Sequence, residues 1–215
     1  MPKLKASIIV PTYNSEKTIK ACLDSLSAQT YPNREILVVD DGSTDKTLQV
    51  VQNYPIRLLK LPHGHRYRNI NTALKEINSE IVFIAESDAI YDSKYLELAL
   101  KYFNDPNVGG VVGSLRPINA EKFLPRLQKI YCTRRDHEMI KRKSEPITAW
   151  IYRKKVLEEI GGWPEIYYLD DGVAGIELKR KGYKIVFDPE CKWYHYEKEK
   201  FLDFLKSHFR VGGCV

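Results

Sequence analysis

Ser7-Ile8-Ile9-Val10-Pro11-Thr12-Tyr13-Asn14 decides the fold of this chain. Its first four residues are almost continuously apolar, and Pro11 stops them. A strand that is apolar on both sides is buried on both sides, and such strands belong to parallel sheets covered by helices. From Ser15 the period changes. Ile19, Cys22, Leu23 and Leu26 fall at i, i+3, i+4 and i+7, the stripe of an amphipathic helix, with Asn14 or Ser15 as the expected cap. Glu35-Ile36-Leu37-Val38-Val39 is a second buried strand, halted by Asp40-Asp41-Gly42, and Asp45 stands where it can cap a short helix through Leu48 and Val51.

The same alternation continues outward. Residues 56–61 read as a third strand, 69–77 as a helix, and 81–85 as a fourth strand ending in Glu86-Ser87-Asp88. A helix over 94–103 leads to a β-rich run at 108–112. The second half predicts helices over 120–143, 154–160 and 172–181, closed in the last two cases by Gly161-Gly162 and Gly182. Strands are expected at 147–152, 184–187 and 192–196, and Phe201, Leu202, Phe204, Leu205 and Phe209 make one face of a last helix. Strands alternating with helices indicate an open, mostly parallel α/β sheet flanked by helices. With no repeat and no linker-like stretch, residues 1–215 form a single domain.

Bulk properties fit this reading. Of the 215 residues 43% are hydrophobic and 29% charged, enough apolar material for an ordinary core and too little charge imbalance for disorder. No apolar run approaches the roughly 18–20 residues of a membrane helix. Met1-Pro2-Lys3-Leu4-Lys5 lacks the apolar core of a signal peptide, so a cytoplasmic location is expected. Cys22, Cys132, Cys191 and Cys214 show no C-x-x-C spacing and are expected to be reduced and mostly buried. The net charge of +6 favours anionic partners without choosing among nucleic acid, anionic lipid and nucleoside diphosphate.

In an open parallel sheet, ligands bind beyond the carboxyl ends of the strands. Three strands here end in polar clusters: Pro11-Thr12-Tyr13-Asn14, Asp40-Asp41-Gly42-Ser43-Thr44-Asp45 and Glu86-Ser87-Asp88. Strands that run the same way put all three on one rim. That rim is acidic in a basic protein. Carboxylates that face a phosphorylated ligand normally need a divalent cation between them, and an oxygen set such as Asp88 with Glu86 suits Mg²⁺ or Mn²⁺. Neither G-x-G-x-x-G nor G-x-x-x-x-G-K-[ST] is present, which disfavours a dinucleotide dehydrogenase and a P-loop ATPase.

The segments 7–14, 25–32 and 38–45, the last with its Asp-Asp-Gly-Ser-Thr-Asp motif, closely resemble the opening of family-2 glycosyltransferases, which have the GT-A (Rossmann-like) fold. The match continues through Phe83 to Asp88, Ile160-Gly161-Gly162-Trp163, Asp170-Asp171, Arg180-Lys181-Gly182-Tyr183 and Tyr194-His195, covering roughly residues 5–200. The resemblance implies a nucleotide-binding half over 1–113 and an acceptor-binding half over 114–215 with a C-terminal amphipathic helix. It implies inverting, metal-dependent transfer of a hexose or N-acetylhexosamine from a nucleotide sugar, UDP-linked by preference, to a hydroxyl of a glycan or lipid-linked acceptor. Thr12 and Tyr13 would contact the base beside Pro11 and Asn14, Asp40 would accept from a base N–H, and Asp41 would lie near the ribose. Glu86-Ser87-Asp88 stands for the family's D-x-D motif. Asp88 would carry the Mg²⁺ or Mn²⁺, Ser87 would line the nucleotide, and Glu86 is a departure whose extra methylene shifts its carboxylate. His195 occupies the place of a histidine that completes metal binding in similar enzymes. Asp171 would take the proton from the acceptor hydroxyl, with Asp170, where the family has glutamate, orienting it. Trp150, Gly162 and Trp163 fall in the acceptor-binding region.

Alternatives accompany several of these assignments. Arg66 and Arg68 precede the third helix and offer guanidinium bonds to a phosphate, or are solvated surface arginines. Glu86 and Asp88 could instead cap the following helix, and Asp170-Asp171 could serve only the dipole of theirs. The basic run 134–143 fits a solvated helix face, an acceptor-binding lip or a contact with anionic lipid headgroups at the inner face of a membrane. A nucleotidyltransferase on the same fold would need a Gly-rich loop where Pro11-Thr12-Tyr13-Asn14 stands. A basic nucleic-acid or membrane-binding module would leave the carboxylates without a task, and no nucleic-acid motif is present.

Overall fold

The computed structural model describes residues 4–142, 146–166, 170–197, 199 and 201–202, with the backbone alone at 142 and 170. The first half runs β1 (Ala6–Thr12), α1 (Ile19–Ser27), β2 (Arg34–Asp40), α2 (Thr47–Val51), β3 (Arg57–Lys60), α3 (Arg66–Glu76), β4 (Ile81–Ile84), β5 (Ala89–Tyr91), α4 (Tyr95–Leu100) and a 3-10 turn at Lys101–Asn104. The second half follows as β6 (Val108–Pro117), α5 (Phe123–Arg142), β7 (Ile151–Arg153), α6 (Lys154–Glu159), α7 (Asp170–Arg180) and β8 (Lys184–His195).

The strands form one eight-stranded sheet in the order β3-β2-β1-β4-β7-β6-β8-β5. β1 pairs in parallel with β2 and β4, and β2 with β3. The sheet is mostly parallel, as expected, with β6 also parallel to β8, while β7 runs antiparallel to both β4 and β6, and β5 antiparallel to β8. β1 also continues through Pro11, although proline lacks an N–H. Pairing of β1 with β4 ends at Ile9↔Ile84, so the Pro11 nitrogen faces a side where the ladder has already stopped.

Alternation along β1 splits the core between the two faces of the sheet. Ile8 and Val10 pack with Leu23 and Leu26 of α1, while Ile9 packs with Ile70 and Leu74 of α3. Cys22, Cys132 and Cys191 are free and buried, as expected, and Cys214 lies outside the described residues. The last helix is described only at Phe201 and Leu202; Phe204, Leu205 and Phe209 lie outside the described residues. No helix among the described residues is long and apolar enough to cross a membrane.

The placement of α7 depends on Gly175. A Cβ there would lie 1.8 Å from the carbonyl oxygen of Ile147. Backbone cannot yield as a flexible side chain does, so Gly175→Ala should destabilise the fold by about 2 kcal/mol or more. Urea unfolding followed by circular dichroism measures this, and a stability equal to that of the native chain would contradict the packing.

Candidate active site

The carboxyl ends of β1 and β2 lie side by side, with Thr12 in register with Asp40. Both residues are buried. Asp40 Oδ2 accepts hydrogen bonds from the Gly42 and Ser43 amides at 3.2 and 3.1 Å, forming a turn that points the loop away from the sheet. Its other oxygen, Oδ1, and the Thr12 hydroxyl are buried with no partner among the described residues. Of the two expected caps, Asn14 and Ser15, neither side chain caps α1; Asn14, at φ 48°, serves the neighbouring loop, its Oδ1 accepting from the Thr44 amide at 2.9 Å. Asp45 does reach the start of α2, accepting from the Thr47 amide at 2.9 Å.

Tyr13 is 45% exposed, and its ring stacks on His63 with centroids 4.2 Å apart. His63 approaches this closely because Gly42, at φ +75°, has no Cβ; one built there would sit 3.0 Å from the His63 nitrogen. The Asp41 carboxylate, expected near a ribose, is already engaged with the 63–69 segment. It accepts from the Gly64 amide at 2.8 Å and from Asn69 Nδ2 at 2.7 Å, and lies 3.0 Å from His63 Nδ1. Asp41 thus fixes the loop that carries His63. This contact joins residues more than twenty positions apart and left no mark in the local sequence pattern.

The third cluster joins the same rim. Ser87 Oγ lies 3.0 Å from Ser15 Oγ, tying the loop after β4 to the loop after β1. The Glu86 amide donates to Tyr91 Oη at 2.8 Å, and the Cys22 thiol donates to the Glu86 carbonyl at 3.3 Å. These anchors hold the backbone and leave the carboxylate to the site. Glu86 and Asp88 do not cap a helix, because β5 follows them directly and α4 begins only at Tyr95.

β5 pairs with β8 so that Ala89 faces His195. One ligand atom from each of Glu86, Asp88 and His195 lies within 4.8 Å of the others. His195 Nε2 is 3.1 Å from Asp88 Oδ2, and its Nδ1 is 3.6 Å from Glu197. Burial works against the charged imidazole, but hydrogen bonds to Asp88 and Glu197 and the nearby Glu86 charge outweigh it and raise the His195 pKa to about 10. Burial pushes the Glu86 carboxyl up, with Asp88 and Asp171 adding to the push, while Arg66 and His195 pull against it. These influences place Arg66 and Asp171 within electrostatic reach of Glu86.

Arg66 is the first residue of α3, which begins three positions earlier than the sequence period suggests. Arg68 is exposed, and no contact among the described residues ties its guanidinium to the acidic cluster. Asp171 stands in the first turn of α7; the side chain of Asp170 lies outside the described residues. The expected acceptor residues divide. Trp150 is half-buried beside Trp193, with centroids 6.1 Å apart. Trp163 corrects the expectation: its ring is 1% exposed and packs edge-on against Tyr152, so it offers an acceptor no face. Asn71 accepts from the Trp163 amide at 2.7 Å and donates to its carbonyl at 2.9 Å, and Gly162 lies against that same side chain. Gly162-Trp163 is therefore a packing device that locks the turn after α6 onto α3.

An open sheet whose first, second and fourth strands end in one acidic rim, with a mixed second half, is the GT-A glycosyltransferase architecture. Within it the chain belongs to glycosyl transferase family 2, whose model matches residues 7–161. Probable glycosyltransferase YdaM of Bacillus subtilis is 28% identical over 96% of this chain and 54% of its own length. The poly(ribitol-phosphate) beta-N-acetylglucosaminyltransferase TarS of Staphylococcus aureus is 36% identical over 54% of this chain and 22% of its own length. The chain thus spans about half of the first of these relatives and less of the second. The crystal structure of S. aureus TarS 1-349 in complex with UDP superposes with a TM-score of 0.71 at 25% identity, covering 91% of this chain and 61% of that one.

Proposed function

We propose that this chain transfers a sugar from a nucleoside diphosphate sugar, UDP-linked by preference, to an acceptor hydroxyl with inversion at the anomeric carbon. The observation that carries this reading is the pair of unpartnered buried oxygens, Asp40 Oδ1 and Thr12 Oγ1, beside the exposed Tyr13 ring. A buried polar atom without a partner costs about 1–3 kcal/mol, so the site is built to receive a donor. A uracil-like base supplies an N–H for Asp40, carbonyl oxygens for the Thr12 hydroxyl, and a flat face for the Tyr13–His63 stack. The UDP held by TarS supports a uridine donor.

Glu86, Asp88 and His195 fit a divalent cation that would take the place of the proton their carboxylates hold on the imidazole: the ligand atoms cluster closely, and two hard carboxylates favour Mg²⁺ or Mn²⁺. Such an ion supplies positive charge for a departing diphosphate. Arg66, at the start of α3, adds fixed positive charge on the same side. Asp171 takes the acceptor proton as that oxygen bonds to the anomeric carbon and the bond to the diphosphate breaks. Asp170 is assigned the orienting role, and Trp150 lines the acceptor side. The acceptor is assigned to a glycan or lipid-linked saccharide.

Asp40→Asn tests the base contact with little disturbance of the loop. The side-chain oxygen can still accept from Gly42 and Ser43, while the free oxygen becomes an N–H donor facing another donor. UDP affinity measured by calorimetry should fall by about tenfold or more, with the melting temperature unchanged. Affinity within twofold of the native chain would remove Asp40 from the base site. A thermal-shift panel of UDP-, GDP- and dTDP-sugars, with and without Mn²⁺, identifies the donor; no stabilisation by any of them would overturn the reading.

A further inference from the structure

We propose that the outer face of α5 is a docking surface for an anionic lipid bilayer. The inward side of α5 is mixed, with Pro125 and Cys132 buried beside a charged group. That group is Asp136, whose carboxylate binds Arg116 at 2.8 Å, Arg135 at 3.1 Å and the Ser114 hydroxyl. Its outward side carries Phe123, Leu127, Ile130 and Tyr131, exposed at 74, 47, 59 and 61%. At helical spacing these four fall within an arc of about 100°. An ordinary surface helix turns its apolar stripe inward, and one facing out marks an interaction site.

Charge selects the occupant. Arg126, Lys129 and His137 lie to one side of the stripe, Arg134 continues it about a turn further on, and with Ile130 these four line an open groove of about 720 Å³. Apolar rings level with cationic side chains on one helix face suit the boundary between acyl chains and anionic headgroups. A dissolved polyanion would engage the cations and leave Phe123 and Ile130 in water. A second copy docking isologously would set these cations against themselves. Exposed apolar side chains also follow β8. Asn119 donates to the Glu197 carbonyl at 2.9 Å and to Glu199 at 3.1 Å, tying the 197–199 segment to the loop that opens α5. Phe201 and Leu202 follow that segment and are 61 and 68% exposed. The Ile118 amide donates to the His195 carbonyl at 2.9 Å, so this end of the surface adjoins the acidic cluster and would present it to an acceptor held in the membrane.

Sedimentation of the chain with vesicles tests the proposal. Binding is expected with phosphatidylcholine–phosphatidylglycerol vesicles, should weaken as salt rises, and should be slight with phosphatidylcholine alone. Each cation near the surface contributes about fivefold, so Arg126→Glu with Arg134→Glu should lower partitioning at least twentyfold, roughly. Phe123→Ser with Ile130→Ser should lower it at unchanged charge, and both pairs should keep the native circular dichroism spectrum and UDP affinity. Glycerol phosphate in excess should not compete, since a dissolved headgroup offers the stripe nothing. Equal binding to both vesicle types, no binding to either, full competition by glycerol phosphate, or native partitioning by the variants would each overturn the proposal. So would a concentration-dependent dimer in sedimentation velocity that the Ser substitutions abolish.

Discussion

Asp171→Asn should lower turnover by about a thousandfold while leaving UDP affinity within a few-fold, since positioned proton transfer typically contributes 10²–10⁴. The substitution keeps the size of the side chain and removes its capacity to take a proton. Asp171 lies in the first turn of α7 within electrostatic reach of Glu86, and the proposed mechanism gives it no contact to the base or the diphosphate, so a nucleotide held by those groups loses none to the variant. A nearby carboxylate charge is also removed, and a nucleotide that carries negative charge should bind slightly more tightly for that reason. Burst and steady-state measurements with UDP-sugar and acceptor, beside calorimetry with UDP, separate the two effects. Turnover above a tenth of the native rate would remove Asp171 as the base. A loss of UDP affinity parallel to the loss of turnover would make it a binding residue instead. The result bears only on the base: the Asp40→Asn test above stands or falls separately.

The parts of the fold that were legible are those written as uninterrupted apolar runs. Residues 8–10, 36–39 and 81–84 are buried on both faces, and nothing but a central parallel strand accommodates them; the shared rim at their carboxyl ends follows from their common direction. β5 was missed because Ala89-Ile90-Tyr91 is three residues long and is a strand only through its partner β8, about a hundred positions away. β8 was read as two strands because Asp188-Pro189-Glu190 interrupts its apolar pattern; the chain takes up that interruption as a bulge opposite Gly113 and Ser114 and carries on to His195. The site shows the same division. Asp40, Asp88 and His195 belong to motifs and could be read, whereas His63, Ser15 and Glu197 join the site by stacking or pairing across long sequence separations and carry no local signal. Trp163 shows the opposite error. The resemblance put it in the acceptor-binding region, but Tyr152 and residues of α3 enclose it.

Asp88→Ala should abolish the cation dependence of nucleotide binding, with UDP affinity in the presence of Mn²⁺ falling by about a hundredfold toward the value seen in EDTA. Three ligand atoms within 4.8 Å are few for a hard cation, so the loss of one leaves Glu86 and His195 without a working set. Asp88 also holds His195 Nε2 at 3.1 Å, so its removal frees the imidazole to turn toward Glu197. Asp88→Asn separates these two contributions. The amide still offers an oxygen to His195 and keeps the ring in place, but it withdraws a negative charge from the cation. If Asp88 acts mainly through charge, both variants should bind UDP equally weakly and neither should respond to Mn²⁺. If it acts mainly by orienting His195, the Asn variant should retain most of the response. In EDTA the native chain and both variants should bind UDP alike, because the base contacts at Thr12, Tyr13 and Asp40 are untouched. A variant that keeps the full Mn²⁺ response would place the cation elsewhere, and with it would go the reading of Glu86-Ser87-Asp88 as a metal-binding motif.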